Sequence, residues 1–330
     1  MLYIHQYPDW TNFRYNYQSV SNALGQTRLL EGKLVGIADL VSSADEETSL
    51  LAQDIASSFS LDNYTLDVEQ TKLEIAKKNG AIDPIRNILG ALQNANTPLT
   101  EDRLFAWHAA IGQNKVRKYR SKESSVGTFV GVSPDRIPHE MERFFAWFET
   151  ETVDGAIKAA IAQFWFLTIR PFDDGNGRIA RTLSAMLLAR SEESARCQYA
   201  LNAALLEQRE AYCRILSHAQ AGNGDLTEWI LFFLKALRNA ISERIAAISP
   251  TLRNTQFRLK FSQTAFTPRE RQLLEAALSG ELQATFSVKE AAALTGVSHD
   301  SALRDIQSLI EKGAFKPEKK GGRSQKYSLQ

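Results

Sequence analysis

The sequence predicts a mostly α-helical protein with small β elements. Apolar residues recur at three- and four-residue intervals along most of the chain. Strand-like runs are confined to residues 126–132 and to the segment after Gly313. A helix–turn–helix pattern closes the chain, with Thr267 and Ser287 as helix caps and Glu290 completing a capping box. The 330 residues are 44% hydrophobic and carry a formal net charge of +1. That composition suits a soluble protein of two or three domains and names no charged partner. Cys197 and Cys213 make neither a disulfide framework nor a zinc set, so both are expected to be reduced structural residues. Residues 1–5 lack a leader's basic and apolar regions, and no long uncharged apolar run occurs. The expectation is a cytoplasmic protein without a membrane span.

Helices are expected over 16–40 and 46–59. The pattern stays helical from 68 to 115, with a break at 80–84. Thr100 caps a helix there that carries Leu104, Phe105, Trp107 and Ile111, with His108 as a packing residue. Lys115, Arg117, Lys118, Arg120 and Lys122 form either a solvated face or a phosphate contact. Further helices are expected over 141–148, 159–169, 179–188, 205–221 and 225–237, the last with Asp225 as cap. A charged connector follows, interrupted by Pro250.

The chemistry concentrates between two of these helices, in Arg170-Pro171-Phe172-Asp173-Asp174-Gly175-Asn176-Gly177-Arg178-Ile179-Ala180-Arg181. Pro171 stops the first helix, and Gly175 and Gly177 permit a tight loop. The loop amides then sit at the start of the second helix, where unpaired N–H groups and the helix dipole favour an anion. Asn176 can donate into the same cup. Arg178 and Arg181 share a helix face, and Asp174 is a hard oxygen ligand of the kind Mg²⁺ uses beside phosphates. Together these residues read as a magnesium–polyphosphate site. No P-loop and no strand-led dinucleotide motif occurs.

The stretch resembles the signature of the Fic family, H-x-F-x-[DE]-G-N-G-R-x-x-R, with Phe172, Asp174, Gly175, Asn176, Gly177, Arg178 and Arg181 in place. The resemblance implies a helical bundle with a small β-hairpin flap that docks a target chain. It implies transfer of AMP from ATP to a hydroxyl of a target protein. Asp174 would hold Mg²⁺, the amides of 175–177 the α- and β-phosphates, and Arg178 and Arg181 the outer phosphates. The family's histidine base is Arg170 here. A guanidinium has no acceptor, so it cannot take the proton, although its charge can face a phosphate. Asp173 is expected to point away from the metal ligand, and His139 stands as an alternative base. A catalytically silent nucleotide-binding regulator is the other reading.

Ser58, Asp62 and Asn63 fit the inhibitory motif [ST]-x-x-x-E-[GN] of one class of the family, with Asp for Glu. They lie in a segment near 50–67, and the alternative is a plain helix stop. The closing residues resemble a winged helix-turn-helix, which implies a DNA contact with Ser298, His299, Ser301 and Arg304 near base edges and Lys319, Lys320 and Arg323 on phosphate; the alternative is a winged helix used for protein contacts. The expected divisions are an N-terminal helical domain over 1–95, the Fic module over 96–240, a connector over 241–264 and the winged helix over 265–330. A homodimer is left open.

Overall fold

A computed structural model describes residues 2–77, 83–111, 117–196, 198–318 and 325–330. Within these, the chain forms two compact units, 1–248 and 249–330.

The first unit begins with a 3-10 turn at Ile4–Gln6 and two long helices, α1 (Tyr17–Val41) and α2 (Ala44–Leu61). Asn16 caps α1 through the Ser19 amide, and Ser43 with Glu46 forms a capping box on α2. The helical stretch expected over 68–115 is three separate helices, α3 (Val68–Ala76), α4 (Asp83–Gln93) and α5 (Glu101–Ile111). Asp67 caps α3 and Thr100 caps α5. The strand-like run over 126–132 forms a small antiparallel hairpin, as the resemblance implies. Gly127, at φ 57°, turns β1 (Ser125–Val126) back onto β2 (Phe129–Val130).

The helices α6 (Ile137–Thr150), α7 (Gly155–Ile169) and α8 (Asn176–Ser191) carry the centre of the unit. Every residue of α7 from Ala156 to Ile169 is buried, as befits a helix that is apolar on all sides. Gln163 accepts from Ser184 of α8 at 2.9 Å, and Trp10 and Phe13 stack edge-on against Trp165. Part of the segment expected as a separate domain over 1–95 shares this core: Ile4, Trp10, Val20 and Leu34 belong to the same buried cluster as Phe164 and Phe166, whereas Ile55, Phe59, Ile85 and Ile88 form a cluster of their own.

The stretch expected as one helix over 205–221 is two, α9 (Leu201–Glu207) and α10 (Arg209–Gln220). Gln208 leaves the helical region at φ −110°, ψ 29°, and neither Gly nor Pro announced it. The last helix, α11 (Thr227–Lys260), passes through Pro250 without a break. Pro250 removes one backbone donor, but the helix around it continues on both sides. Asp225 lies ahead of the helix and accepts from both the amide and the hydroxyl of Thr227, so it braces the entry without being its first residue.

The second unit packs α12 (Pro268–Ser279), α13 (Val288–Thr295) and α14 (His299–Glu311) with a three-stranded antiparallel sheet. Its order is β3 (Phe286–Ser287), β5 (Lys326–Leu329), β4 (Phe315–Pro317). Leu273, Phe286, Ala302, Ile306, Leu309 and Phe315 form its core. Buried Glu270 is held by Lys312 at 2.7 Å and Ser308 at 2.6 Å. Burial opposes its ionisation, but these partners bring its pKa down to about 2. Ser298 caps α14 through the amide of Ser301 and also meets its hydroxyl at 3.0 Å. His299 and Arg304 are exposed. Lys319, Lys320 and Arg323 lie outside the described residues, as do Lys115 and Cys197. Cys213 is a free, exposed thiol, which departs from the packing role expected of it.

Gly155 shows how closely α7 and α8 approach. A Cβ there would fall 2.3 Å from Ser191 Cβ, whereas a Cβ on Gly32 of α1 would meet nothing within 4 Å. Gly155→Ala should therefore cost about 1–3 kcal/mol, and Gly32→Ala should gain about 0.5–1 kcal/mol from helix propensity. Urea denaturation of both variants checks the contrast.

Candidate functional site

The loop between α7 and α8 is built by its own residues. Arg170 ends α7 in the left-handed region at φ 51°, ψ 63°, and its amide still bonds Phe166. Such a conformation is uncommon for a residue with a side chain. Surrounding contacts hold it: Arg120 donates to the Arg170 carbonyl at 2.6 Å, and the Arg120 amide bonds the Pro171 carbonyl at 3.0 Å. Arg120 also donates to the carbonyls of Lys122 and Val132. It is buried and braces the hairpin against the loop, so this member of the basic run is neither a solvated face nor a phosphate contact. Sequence reasoning missed that role.

Asn176 was expected to point into the cup, and it does not. Its carboxamide accepts from the Phe172 amide at 3.0 Å and donates to the Phe172 carbonyl at 2.7 Å. The side chain closes the loop on itself, because those two backbone groups are otherwise unpaired in the turn. Phe172 is buried and lies flat on His108, with ring centroids 3.9 Å apart and an angle of 8°. Burial, the largest influence, lowers the pKa of His108, so it sits under the loop as a neutral ring. Gly175, at φ 80°, turns the chain into α8. Asp173 is exposed, and His139 is exposed on α6.

A carboxylate of the chain itself occupies the space before α8. Asp62, at the end of α2, meets Arg181 Nη2 at 3.0 Å and Arg178 Nε at 3.3 Å. A Cβ on Gly177 would fall 2.4 Å from Asp62 Oδ1, so the carboxylate rests against the loop where only glycine leaves room. Arg181 also donates to the Ser58 hydroxyl at 2.8 Å and the Ser58 carbonyl at 2.6 Å. Asn63, left-handed at φ 64°, accepts from Arg209 at 2.7 Å. The sequence alternatives for this segment coincide physically: Asp62 and Asn63 end α2, and in ending it they deliver a carboxylate to both arginines.

Asp174 stands at the mouth, with its Oδ2 2.8 Å from Arg178 Nη2. The Tyr64 hydroxyl donates to the same oxygen at 3.0 Å. Burial pushes its pKa up, but bonds from the Gly175 amide, Tyr64 and Arg178 outweigh that and leave it below the usual carboxylate value. No cluster of three or more His, Cys, Asp or Glu that could hold a metal occurs among the described residues. A lone carboxylate fits a cation such as Mg²⁺, which draws its other ligands from phosphate and water. It does not fit a cation caged by protein alone. The Arg170 side chain bonds the Ser124 hydroxyl at 3.2 Å and feels both Asp62 and Asp174.

Behind α2, Asp54 accepts from the Asn202 amide and carboxamide, both at 2.7 Å. It thereby ties the helix that carries Asp62 to the start of α9. No spacing in the sequence signals this contact.

Residues 98–188 match the Fic/DOC family, and residues 3–80 match a family described as a domain of unknown function, DUF4172. Over 274 residues the chain is 27% identical to protein adenylyltransferase fic-1 of Caenorhabditis elegans, covering 80% of this chain and 47% of the relative. Over 200 residues it is 27% identical to protein adenylyltransferase Fic of Nematostella vectensis, covering 56% and 45%. The chain spans about half the length of these curated relatives. The fold is that of a Fic family protein from Desulfovibrio desulfuricans G20, with a TM-score of 0.58, 21% identity and coverage of 94% and 96%. A segment of Fic-1 from C. elegans superposes with a TM-score of 0.52 at 21% identity, covering 69% of this chain and 73% of that one. No described helix is long and apolar enough to cross a membrane.

Burial raises the Asp54 pKa from 3.8 to about 6. The folded chain therefore binds this proton more tightly than the unfolded chain. The associated stability is complete below about pH 4 and is lost as pH rises through 6, amounting to about 3 kcal/mol. Urea denaturation of Asp54→Asn between pH 4 and 6.5 should show that much less pH dependence than the parent chain. Parallel curves would contradict a buried Asp54 that keeps its proton up to about pH 6.

Proposed function

We propose, from the premise that this chain is a Fic family protein, that it binds ATP with its phosphates in the cup now filled by Asp62. The site is built to transfer AMP to a Ser, Thr or Tyr hydroxyl of a target protein. The observation that carries the reading is the pairing of Asp62 with both Arg178 and Arg181 against Gly177. An anion recognised there by the chain itself marks the place an outer phosphate would take. The adenylyltransferase names of the relatives support the same chemistry.

In such a transfer the target hydroxyl oxygen forms a bond to the α-phosphorus, pyrophosphate leaves, and the hydroxyl proton passes to a base. The amides at 175–177 would hold the α- and β-phosphates, with Asn176 keeping the loop closed, and Arg178 and Arg181 would hold the outer ones. Mg²⁺ on Asp174 would offset charge between the phosphates. The target's chain would add as a strand to the β1–β2 hairpin. Arg170 can face a phosphate but cannot accept the proton. Loss of a general base costs about 10²- to 10⁴-fold in rate. Nucleotide binding is thus retained and transfer is slow, in a cytoplasmic protein.

The test is incubation with α-labelled ATP, Mg²⁺ and cell extract. Arg170→His should label protein about 100-fold or more faster than the parent chain. Equal labelling by both chains would mean that another group serves as base. Absence of label with both, despite ATP binding, would leave a nucleotide-dependent regulator as the reading to follow.

A further inference from the structure

Tyr64 directly follows the segment that fills the cup, and nothing in the Fic signature calls for it. Its hydroxyl donates to Asp174 Oδ2 at 3.0 Å. Its ring lies under the Arg178 guanidinium, 4.3 Å from ring centroid to Cζ. Arg178 in turn bonds the same Asp174 oxygen at 2.8 Å. One side chain thus touches both the carboxylate proposed to bind the cation and an arginine proposed to bind phosphate.

The position is held by the end of α2. Asn63 is left-handed and bonded to Arg209. The Tyr64 amide returns to the Phe59 carbonyl at 3.0 Å, so the end of α2 aims the ring across the mouth of the cup. Tyr64 itself is 45% exposed. An exposed tyrosine that stays over a cation gains from the cation–π contact, and its hydroxyl makes a charge-assisted bond.

We infer that Tyr64 is a positioning residue for Asp174. It occupies the oxygen a divalent cation would take and so sets how much Mg²⁺ the site needs to load nucleotide. The inference rests on the proposed nucleotide reading. A carboxylate oxygen engaged by an N–H and an O–H donor must give up at least one of them to a cation in the same direction. The Tyr64 hydroxyl is the donor that can leave without uncovering a buried charge, because it is neutral, Tyr64 is exposed, and Arg178 keeps its own bond to Asp174. The hydroxyl acts on the metal ligand and the ring acts on Arg178, and the two effects can be separated.

Two variants separate them. Tyr64→Phe removes the hydroxyl and keeps the ring, whereas Tyr64→Ala removes both. Calorimetric titration with ATP over a series of Mg²⁺ concentrations, and in EDTA, reads the outcome. Tyr64→Phe should reach half-maximal ATP affinity at about five- to tenfold lower Mg²⁺, as expected for losing one hydrogen bond to a charged acceptor at an exposed site. Its affinity in EDTA should match that of the parent chain. Tyr64→Ala should show the same shift in Mg²⁺ and a changed affinity in EDTA as well, because Arg178 loses its ring contact. An unchanged Mg²⁺ requirement in Tyr64→Phe, with ATP binding intact, overturns the inference. A parent chain and variants that bind no ATP at saturating Mg²⁺ overturn the nucleotide reading instead.

Discussion

Two guanidinium groups lie buried within one turn of a single helix, and the surrounding structure follows from compensating them. Arg178 and Arg181 are each 3% exposed. A buried cation without an anion is costly, and removing one partner of a buried pair costs about 3–5 kcal/mol. Here Asp174 just ahead of α8 pairs with Arg178 at 2.8 Å, and the rest of the compensation comes from the far end of α2. Asp62 bridges the pair, Ser58 adds a hydroxyl and a carbonyl to Arg181, and the Ile111 carbonyl accepts from Arg178 at 3.2 Å. The geometry of the loop, the end of α2 and the end of α5 are thus fixed by one electrostatic demand.

That demand also joins structure to chemistry. The same two cations, with the amides ahead of α8, can be compensated by phosphate in place of Asp62. On the proposed reading, the free site and a nucleotide-loaded site differ in which anion they hold. Arg170 adds a third positive group and removes the only proton acceptor the family's signature would supply at that position. On the proposed reading, the site is better suited to holding an anion than to deprotonating an acceptor.

The helices and their caps were legible because apolar periodicity and Ser, Thr, Asp or Asn at helix starts act locally: Thr100, Thr267 and Ser287 all cap as their spacing indicates. The loop between α7 and α8 was legible because Pro171 and the two glycines punctuate it. Asn176 was misread because a carboxamide beside an anion cup looks like a donor to it, whereas the turn's own unpaired backbone claimed it. The break at Gln208 and the continuity through Pro250 were not legible, since tertiary packing overrides local preference at both. Arg120, Tyr64 and Asp54 act across 50, 110 and 148 residues respectively, and no local pattern encodes such contacts. The shared core of the opening helices and α7 was hidden for the same reason.

The most direct test of this account is the thermal melting of Asp62→Ala, compared with the parent chain, without ligand and with ATP and Mg²⁺. The account predicts that the variant melts lower than the parent without ligand, because buried Arg181 loses its carboxylate and Arg178 is left with Asp174 alone. It also predicts that ATP raises the variant's Tm by more than the parent's, because the cup is open and the ligand's phosphates replace the carboxylate. Equal melting without ligand and equal shifts with it would contradict the claim that Asp62 holds the place of a phosphate.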